Sequence, residues 1–260
     1  MGSGEIQGKL WGERPEDWAS IQEGTAIDGY SYVLGFPELN SGPTLLDVGC
    51  GSGLFCSLAA ARGAIVTGLD ASAALIQQAK RRNTPVKFLT GEMESMPFAD
   101  NSFDVVCGFN SFQYAGSIRS ALKEVKRILT DKGRLIIMIW GDKEDCEAAA
   151  YLKAVSSLLP AVPPGTPGPF SLSENGLLSK LLKETGLKMT HKADIAGIWK
   201  YPDRQTALRG LVSSGTVARA ITANGFSKVS QVVSSTILPF VQSDGRVVMN
   251  NMYRIVMASC

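Results

Sequence analysis

The chain has 260 residues, with 26 Lys and Arg against 24 Asp and Glu, and so a formal net charge of +2 at pH 7. This near-balance argues against a nucleic-acid or anionic-membrane partner. Five cysteines without C-x-x-C spacing give no sign of a disulfide framework or a zinc site, and no segment has the apolar length of a membrane span, which together predict a cytoplasmic protein.

The first 42 residues predict a helical leader. Residues 14–24 and 25–36 have the spacing of short amphipathic helices, and a Gly-Pro break follows at positions 42 and 43. We expect the leader's large aromatic side chains to be buried core residues rather than cofactor contacts; they are Trp11, Trp18 and Tyr30.

A buried-type strand over residues 44–48 leads directly into a glycine-rich turn. Gly49, Gly51 and Gly53 alternate along this turn, and a helix over 52–62 is predicted to follow. Glycine lets a ligand approach the backbone, and the first N–H groups of a helix are free to bind it. This junction therefore predicts a cofactor cradle.

Asp70 ends the next predicted strand, residues 64–70, about twenty residues after the glycine turn. A carboxylate at that distance can bind ribose hydroxyls, and the alternative is an N-cap of the helix predicted over 72–82. A dinucleotide fingerprint needs a third glycine where this chain has Leu54. An NAD(P)-dependent oxidoreductase is therefore an alternative that the spacing does not favour.

Strand and helix patterns alternate through the following residues. Strands are predicted over 86–90, 103–109 and 133–140, with a helix over 117–130. Such alternation indicates right-handed crossovers and a mainly parallel sheet with helices on both faces, an α/β fold.

Beyond Trp140 the chain changes character. A helix is predicted over 144–159, followed by a Pro-rich connector over 160–169. The next helix is capped by Ser171 or Ser173, runs through Glu184 and ends at Gly186, and a strand over 187–199 follows it. Residues 203–240 have helical spacing with breaks near 213–215 and 224–225, and a last strand is predicted over 253–258.

Several segments together resemble the class I S-adenosylmethionine-dependent methyltransferases. They are the glycine loop, Gly91-Glu92-Met93, residues 97–106, residues 108–113 and residues 124–133, and the resemblance covers about residues 43–141. It implies a Rossmann-like seven-stranded sheet, mostly parallel with an antiparallel edge strand, and a helical lid insertion. It also implies four parts: the leader 1–42, a cofactor-binding core 43–202, the lid 203–245 and a final core strand in 246–260. A looser similarity points to the ubiquinone and menaquinone C-methyltransferases.

The resemblance implies S-adenosyl-L-methionine as cofactor and places its binding residues at Asp47, Gly49, Cys50, Gly51, Gly53, Asp70, Ala71, Glu92, Met93, Asn110 and Gln113. Asp47 is costly to bury unpaired, so we expect it to bond the loop backbone or the amino group of the donor, or to act as a structural cap. Glu92 departs from the family, which more often has Asp there. No metal ligand is expected.

Methyl transfer from a sulfonium mainly needs alignment and exclusion of water, so a catalytic triad is not expected. The candidates for a catalytic role are Gln113, Tyr114 and His191. For His191, in an alternating strand, a solvent-facing or satisfied role is favoured over a general base. Tyr201, Arg204 and Arg209 are candidates to grip an acceptor.

The sequence thus predicts a methyltransferase acting on a small organic acceptor, without a nucleic-acid or membrane partner. Two alternatives stay open: the oxidoreductase, and a non-catalytic module that keeps the nucleoside pocket. The acceptor atom and the oligomeric state are not specified by the sequence.

Overall fold

A computed structural model describes residues 3–82, 84–160 and 168–260 of the chain. Seven strands form one sheet in the order β3-β2-β1-β4-β5-β7-β6. The strands are β1 Thr44–Val48, β2 Ile65–Asp70, β3 Lys87–Thr90, β4 Phe103–Phe109, β5 Leu129–Trp140, β6 Lys188–Tyr201 and β7 Val247–Ser259.

The first five strands are parallel, as the alternating pattern predicts, and β7 runs antiparallel to both of its neighbours. The strand order reverses between β1 and β4, which pair side by side. In open α/β sheets the crevice at such a reversal, outside the carboxyl ends of the strands, is where ligands bind. The fold therefore places the glycine loop after β1 at the ligand-binding edge.

The helices lie on both faces of the sheet, and two successive short stretches over residues 18–26 of the leader are not α-helical. They are a π turn over Trp18–Gln22 and a 3₁₀ turn over Glu23–Ala26. The α-helices are α1 Gly4–Trp11, α2 Pro15–Asp17, α3 Ile27–Val33, α4 Leu54–Ala60, α5 Ala73–Arg81, α6 Ile118–Ile128, α7 Ala148–Ser156, α8 Leu177–Glu184, α9 Arg204–Val212, α10 Gly215–Asn224 and α11 Phe226–Thr236.

The two continuous leader helices predicted over 14–24 and 25–36 are replaced by these shorter pieces. The run stays helical from Pro15 to Val33 but changes type over Trp18–Ala26, where the half-buried Trp18 and the buried Gln22 and Glu23 face the sheet edge. Tertiary contacts of these side chains override the regular helical spacing.

The helix after the connector begins later than predicted, and neither serine caps it. Ser173 is buried and its hydroxyl donates to the carbonyl of Trp140. The α8 helix instead starts after Gly176, which has φ +66°. Its end at Gly186, with φ +74°, is confirmed. Residues 161–167 of the predicted connector lie outside the described residues.

Two strands extend beyond their apolar runs because neighbouring strands pair with the extra residues. In β5, Leu129 pairs with Phe103 before a register shift. In β7, pairing with β6 starts at Val247 opposite Tyr201, six residues before the predicted start. The breaks predicted near 213–215 and 224–225 are confirmed as the ends of α9 and α10.

Two apolar clusters cover the two faces of the sheet. The larger joins α3, α4, α7 and the helices α9–α11, and the smaller joins α6 and α8. In the described part of the chain no helix is long and apolar enough to cross a membrane. All five cysteines are free thiols, and the described residues contain no cluster of metal-ligating side chains.

Candidate functional site

A cavity lies at the carboxyl edge of the sheet, beside the reversal of strand order between β1 and β4. Its volume is about 1210 Å³ when the solvent-filled space at its mouth is included. One end is formed by the glycine loop and the ends of β2 and β3, and the other is largely aromatic. We call these the cofactor end and the aromatic chamber. The chamber is lined by Tyr30, Phe109, Trp140, Tyr151, Trp199 and Tyr253.

The glycine loop is held tightly against β2. The backbone N–H groups of Gly49 and Cys50 both donate to the carbonyl of Leu69, at 2.7 and 3.1 Å. Gly51 has φ +55°, and a Cβ there would lie 3.1 Å from both Glu23 Oε1 and Trp18 Nε1. The loop therefore needs glycine at this position both for its backbone conformation and for its close neighbours.

Asp70 ties the loop to the end of β2. Its Oδ2 accepts from the N–H of Gly51 at 2.9 Å and its Oδ1 from the N–H of Ser72 at 2.8 Å. The N-cap of α5 is Ser72, whose hydroxyl accepts from the N–H of Leu75, so Asp70 is not the cap. Burial raises the pKa of Asp70 to about 6, against the opposing backbone hydrogen bonds.

Asp47 does not make the expected bond to the loop backbone within the described structure. Its Oδ2 accepts from the Cys56 thiol at 3.4 Å, and its Oδ1 is buried without a partner. Burial raises the pKa of Asp47 to about 8, and the nearby Glu23 and Asp70 charges add to the effect. Asp47, Cys50 and Gly53 lie beneath the described cavity lining rather than on it.

The segment after β3 joins the cofactor end to the leader. Ala71, Glu92 and Met93 line the cavity as expected. Glu92 Oε1 accepts from the N–H of Gly4 at 3.2 Å, at the start of α1. A carboxylate is favourable at a helix N-terminus, so the longer side chain of Glu92 holds α1 over the cavity.

Two polar side chains follow β4, and the structure separates their positions. Asn110 lines the cavity with φ +49°, whereas Gln113 is buried behind it and donates from Nε2 to Asn110 Oδ1 at 3.3 Å. Ser111, which sequence reasoning did not assign, lines the cavity, and its buried hydroxyl has no partner among the described residues.

The leader supplies an acid that the motifs did not identify. Glu23 is buried, lines the cavity, and through Oε2 accepts from Ser52 Oγ at 2.6 Å and Arg82 Nη2 at 2.5 Å. Burial raises its pKa, although Ser52 and Arg82 oppose the change. The sequence offered no signal for Glu23 because its partners lie about 30 and 60 residues away.

Trp11 and Trp18 differ from the expected core role. Both are half-buried and line the cavity. Their rings meet edge to face with centroids 4.9 Å apart, and the centroids of Trp11 and Tyr114 are 5.2 Å apart. The indole N–H of Trp18 is buried without a partner among the described residues. Tyr30 is 7% exposed and is a core residue as expected, although it also lines the cavity.

Of the three catalytic candidates, the structure brings Tyr114 to the cavity and places His191 away from it. His191 lies on edge strand β6, where its Nε2 is 3.2 Å from the Tyr32 hydroxyl. The buried Tyr201 donates to Gln22 Oε1 at 2.9 Å, Arg209 forms a surface ion pair with Asp17, and Arg204 is exposed. These contacts give His191, Tyr201 and Arg209 roles outside the described cavity.

Comparisons with known proteins agree with this geometry. Residues 46–137 match the family model described as a methyltransferase domain. A malonyl-[acyl-carrier protein] O-methyltransferase of Erwinia pyrifoliae is 36% identical over 92 residues, 35% of each chain. A demethylmenaquinone methyltransferase of Renibacterium salmoninarum is 33% identical over 96 residues, 37% of this chain and 40% of that one.

Structural similarity to solved proteins covers more of the chain than these sequence matches do. The YcgJ protein of Bacillus subtilis superposes with a TM-score of 0.58 at 18% identity, over 88% of this chain and 97% of that one. The chain spans only about 35–40% of the length of the curated relatives. The family match itself covers residues 46–137, about a third of the chain.

Replacing Gly51 by Ala should weaken S-adenosylmethionine binding by about 10-fold or more, because the added methyl group meets Glu23 and Trp18 at the cavity wall. Isothermal titration calorimetry measures the change. Gly176→Ala is the matched control, since Gly176 has a similar φ of +66° but no neighbour within 4 Å of the added carbon among the described residues. Equal affinities in the two variants would contradict the role of the loop.

Asp47→Asn should flatten the pH dependence of the unfolding free energy between about pH 4 and 8. The folded protein keeps a proton on Asp47 up to its pKa of about 8, whereas the unfolded chain releases it near the ordinary value of 3.8. The contribution of Asp47 to the unfolding free energy is therefore fully present below about pH 4 and is lost as the pH rises toward 8. Urea unfolding at pH 5, 6.5 and 8 tests this, with the exposed Asp131→Asn as control.

Proposed function

We propose that the protein transfers a methyl group from S-adenosylmethionine to a small organic acceptor by in-line displacement. The observation that carries the proposal is a group of three carboxyl groups around the glycine loop, the buried Asp47 and Glu23 and the half-buried Asp70, each with a pKa raised by loss of solvation. Buried acids of this kind favour a cationic ligand, because a bound cation stabilises their ionised form. S-adenosylmethionine carries both a sulfonium and an ammonium group.

The residues at the cofactor end fit this molecule. Asp70 uses each oxygen for one N–H, and an ionised carboxylate can accept about four hydrogen bonds, so capacity is left for ribose hydroxyls. Met93 offers a polarizable surface for the adenine ring. The cofactor supplies a methyl group on a sulfonium, which is a good leaving group.

Glu23 and Trp18 suit the amino-acid part of the cofactor. They lie on either side of Gly51, one an acceptor and the other a donor without a partner among the described residues. A zwitterion needs one of each, an acceptor for its ammonium group and a donor for its carboxylate. We assign Glu23 to the ammonium group and Trp18 to the carboxylate.

The chain's contribution to the reaction is then alignment and exclusion of water. The leader and the helices α9–α10, which follow β6, bring Trp11, Ser214 and Thr216 to the cavity, in keeping with a lid over 203–245. Burial raises the pKa of Tyr30, Tyr151 and Tyr253, so these phenols keep their protons at neutral pH and do not serve as bases. The acceptor atom therefore receives no help from a phenolate base of the chamber.

A small molecule is the proposed acceptor, on the grounds of the aromatic chamber within the cavity and the near-neutral charge, and the five free cysteines support a cytoplasmic location. The acyl-carrier protein named for the Erwinia relative is the alternative partner. Titration with S-adenosylmethionine and NADH tests the cofactor, and binding of NADH alone would contradict the proposal. Release of S-adenosylhomocysteine in an acceptor screen tests transfer; tight binding with no transfer would indicate a binding module.

Asp70→Asn should lower the affinity for S-adenosylmethionine by about 10- to 100-fold, because hydrogen bonds to a charged group contribute about 1.5–3 kcal/mol. Calorimetry with the purified variant measures the loss, and thermal unfolding checks that the fold persists. Asp131→Asn, on the exposed part of β5, is the control and should bind normally. An unchanged affinity for Asp70→Asn would refute the ribose assignment.

Glu23→Gln should weaken S-adenosylmethionine by about 10- to 100-fold while leaving 5′-methylthioadenosine, which lacks the amino-acid part, nearly unchanged. The comparison separates loss of the ammonium contact from damage to the loop. Glu16→Gln is the matched leader control, since Glu16 is 81% exposed on its side chain. Equal weakening of both ligands would argue for a structural role of Glu23 through Arg82 and Ser52.

A further inference from the structure

We propose that the acceptor is an uncharged, planar ring compound held in the aromatic chamber; this rests on the proposed methyl-transfer function. The chamber joins side chains from four strands and two helices, so it is built by the fold rather than by one loop. Three of its rings pack as a continuous wall, with centroids of Trp140 lying 5.4 Å from Trp199 and 5.7 Å from Tyr253.

The charges of the cavity are confined to its cofactor end. The charged side chains among its described lining residues are Glu23, Asp70 and Glu92, all carboxylates beside the glycine loop or the β3 end. The same lining contains no Lys, Arg or His. An anionic acceptor would lose its hydration in the chamber without gaining a counter-charge, which is strongly unfavourable.

Two polar groups of the chamber, on Trp199 and Tyr253, are already hydrogen-bonded within the protein. The indole N–H of Trp199 donates to the Tyr253 hydroxyl at 2.6 Å, and that hydroxyl donates to the carbonyl of Thr25 at 3.2 Å. Because these two groups are satisfied, the wall formed by Trp199 and Tyr253 presents ring faces and edges more than free donors. An aromatic acceptor gains most from such walls, through offset and edge-to-face contacts.

A cationic amine is the rival ligand, because ring faces also attract cations. It is disfavoured in this site, since the bound cofactor's sulfonium would lie next to it and like charges repel. A nitrogen must moreover be unprotonated to attack a methyl group. The neutral ring therefore fits both the walls and the neighbouring cofactor.

Four probes of matched size separate these possibilities: 2-naphthol, 2-naphthoate, 2-(aminomethyl)naphthalene as its cation, and the saturated decahydro-2-naphthol. Binding to the full chain is measured by calorimetry at pH 7, with and without saturating S-adenosylhomocysteine. We expect 2-naphthol to bind about 10-fold or more tightly than each of the other three. Equal or tighter binding of the anion, the cation or the saturated alcohol would overturn the proposal.

Two variants test whether 2-naphthol binds in the aromatic chamber. Trp199→Leu should weaken 2-naphthol by about 10-fold and leave S-adenosylhomocysteine affinity unchanged, whereas Phe226→Leu, at a 46% exposed surface ring, should change neither. Thr216→Lys adds a cation to the wall and should shift the preference toward 2-naphthoate. If Trp199→Leu fails to fold, Thr216→Lys alone decides, and an unchanged preference would contradict the assignment.

The measurement without cofactor product keeps the two proposals apart. If S-adenosylhomocysteine fails to bind but 2-naphthol binds and responds to Thr216→Lys, the proposed methyltransferase function fails and the chamber assignment stands. If S-adenosylhomocysteine binds and 2-naphthol does not, the chamber assignment fails alone.

Discussion

The site depends on the two hydrogen bonds that the Asp70 carboxylate accepts from the N–H groups of Gly51 and Ser72. They fix the glycine loop of β1 against the end of β2, and the Leu69 carbonyl reinforces this by accepting from Gly49 and Cys50. Since Asp70 is half-buried at the end of β2, its charge is poorly solvated and its pKa rises to about 6. The same contact that shapes the loop thus prepares it for a ligand that offers donors or positive charge.

The leader lies outside the Rossmann-like core and completes the cofactor end of the cavity. Glu23 reaches Ser52 and Arg82, Trp18 faces Gly51, and the start of α1 bonds to Glu92. Each contact joins the leader to a loop at the carboxyl edge of the sheet. The cofactor end is therefore an assembly of two chain segments, of which the Rossmann-like core forms only one.

The fold could be predicted from the sequence because period and turn chemistry agreed with the tertiary structure. The strand predicted over 103–109 has those limits, and glycine at 186 marks a helix end as expected. The start of α8 could not be predicted, because Ser173 turns its hydroxyl to Trp140, a distant partner that no local pattern reveals. The leader was misjudged for the same reason, since long-range contacts decide where it changes helix type.

Among the site residues, those that precede or follow a glycine turn were easiest to predict. Asp70, Ala71, Glu92, Met93 and Asn110 reach the cavity because strand ends converge there. Asp47 was assigned correctly as a buried acid, but its thiol partner on α4 depends on helix packing. Glu23 and Trp18 carry no motif, so only the three-dimensional structure brings them to the loop; Ser111 lies within the segment 108–113, but its residue type gave no signal of a role there.

Most of the aromatic chamber lies outside residues 46–137, the part that matches the methyltransferase family. Trp140, Tyr151, Trp199 and Tyr253 all come from later in the chain, whereas the glycine loop and Asp70 lie within it. Under the proposed function, most of the acceptor chamber and the glycine-loop part of the cofactor end are thus encoded in separate stretches of sequence. Substitutions after position 137 can give descendants of this protein new acceptors while the nucleoside site stays unchanged. Sequence similarity within the matched domain alone therefore carries little information about which molecule is methylated.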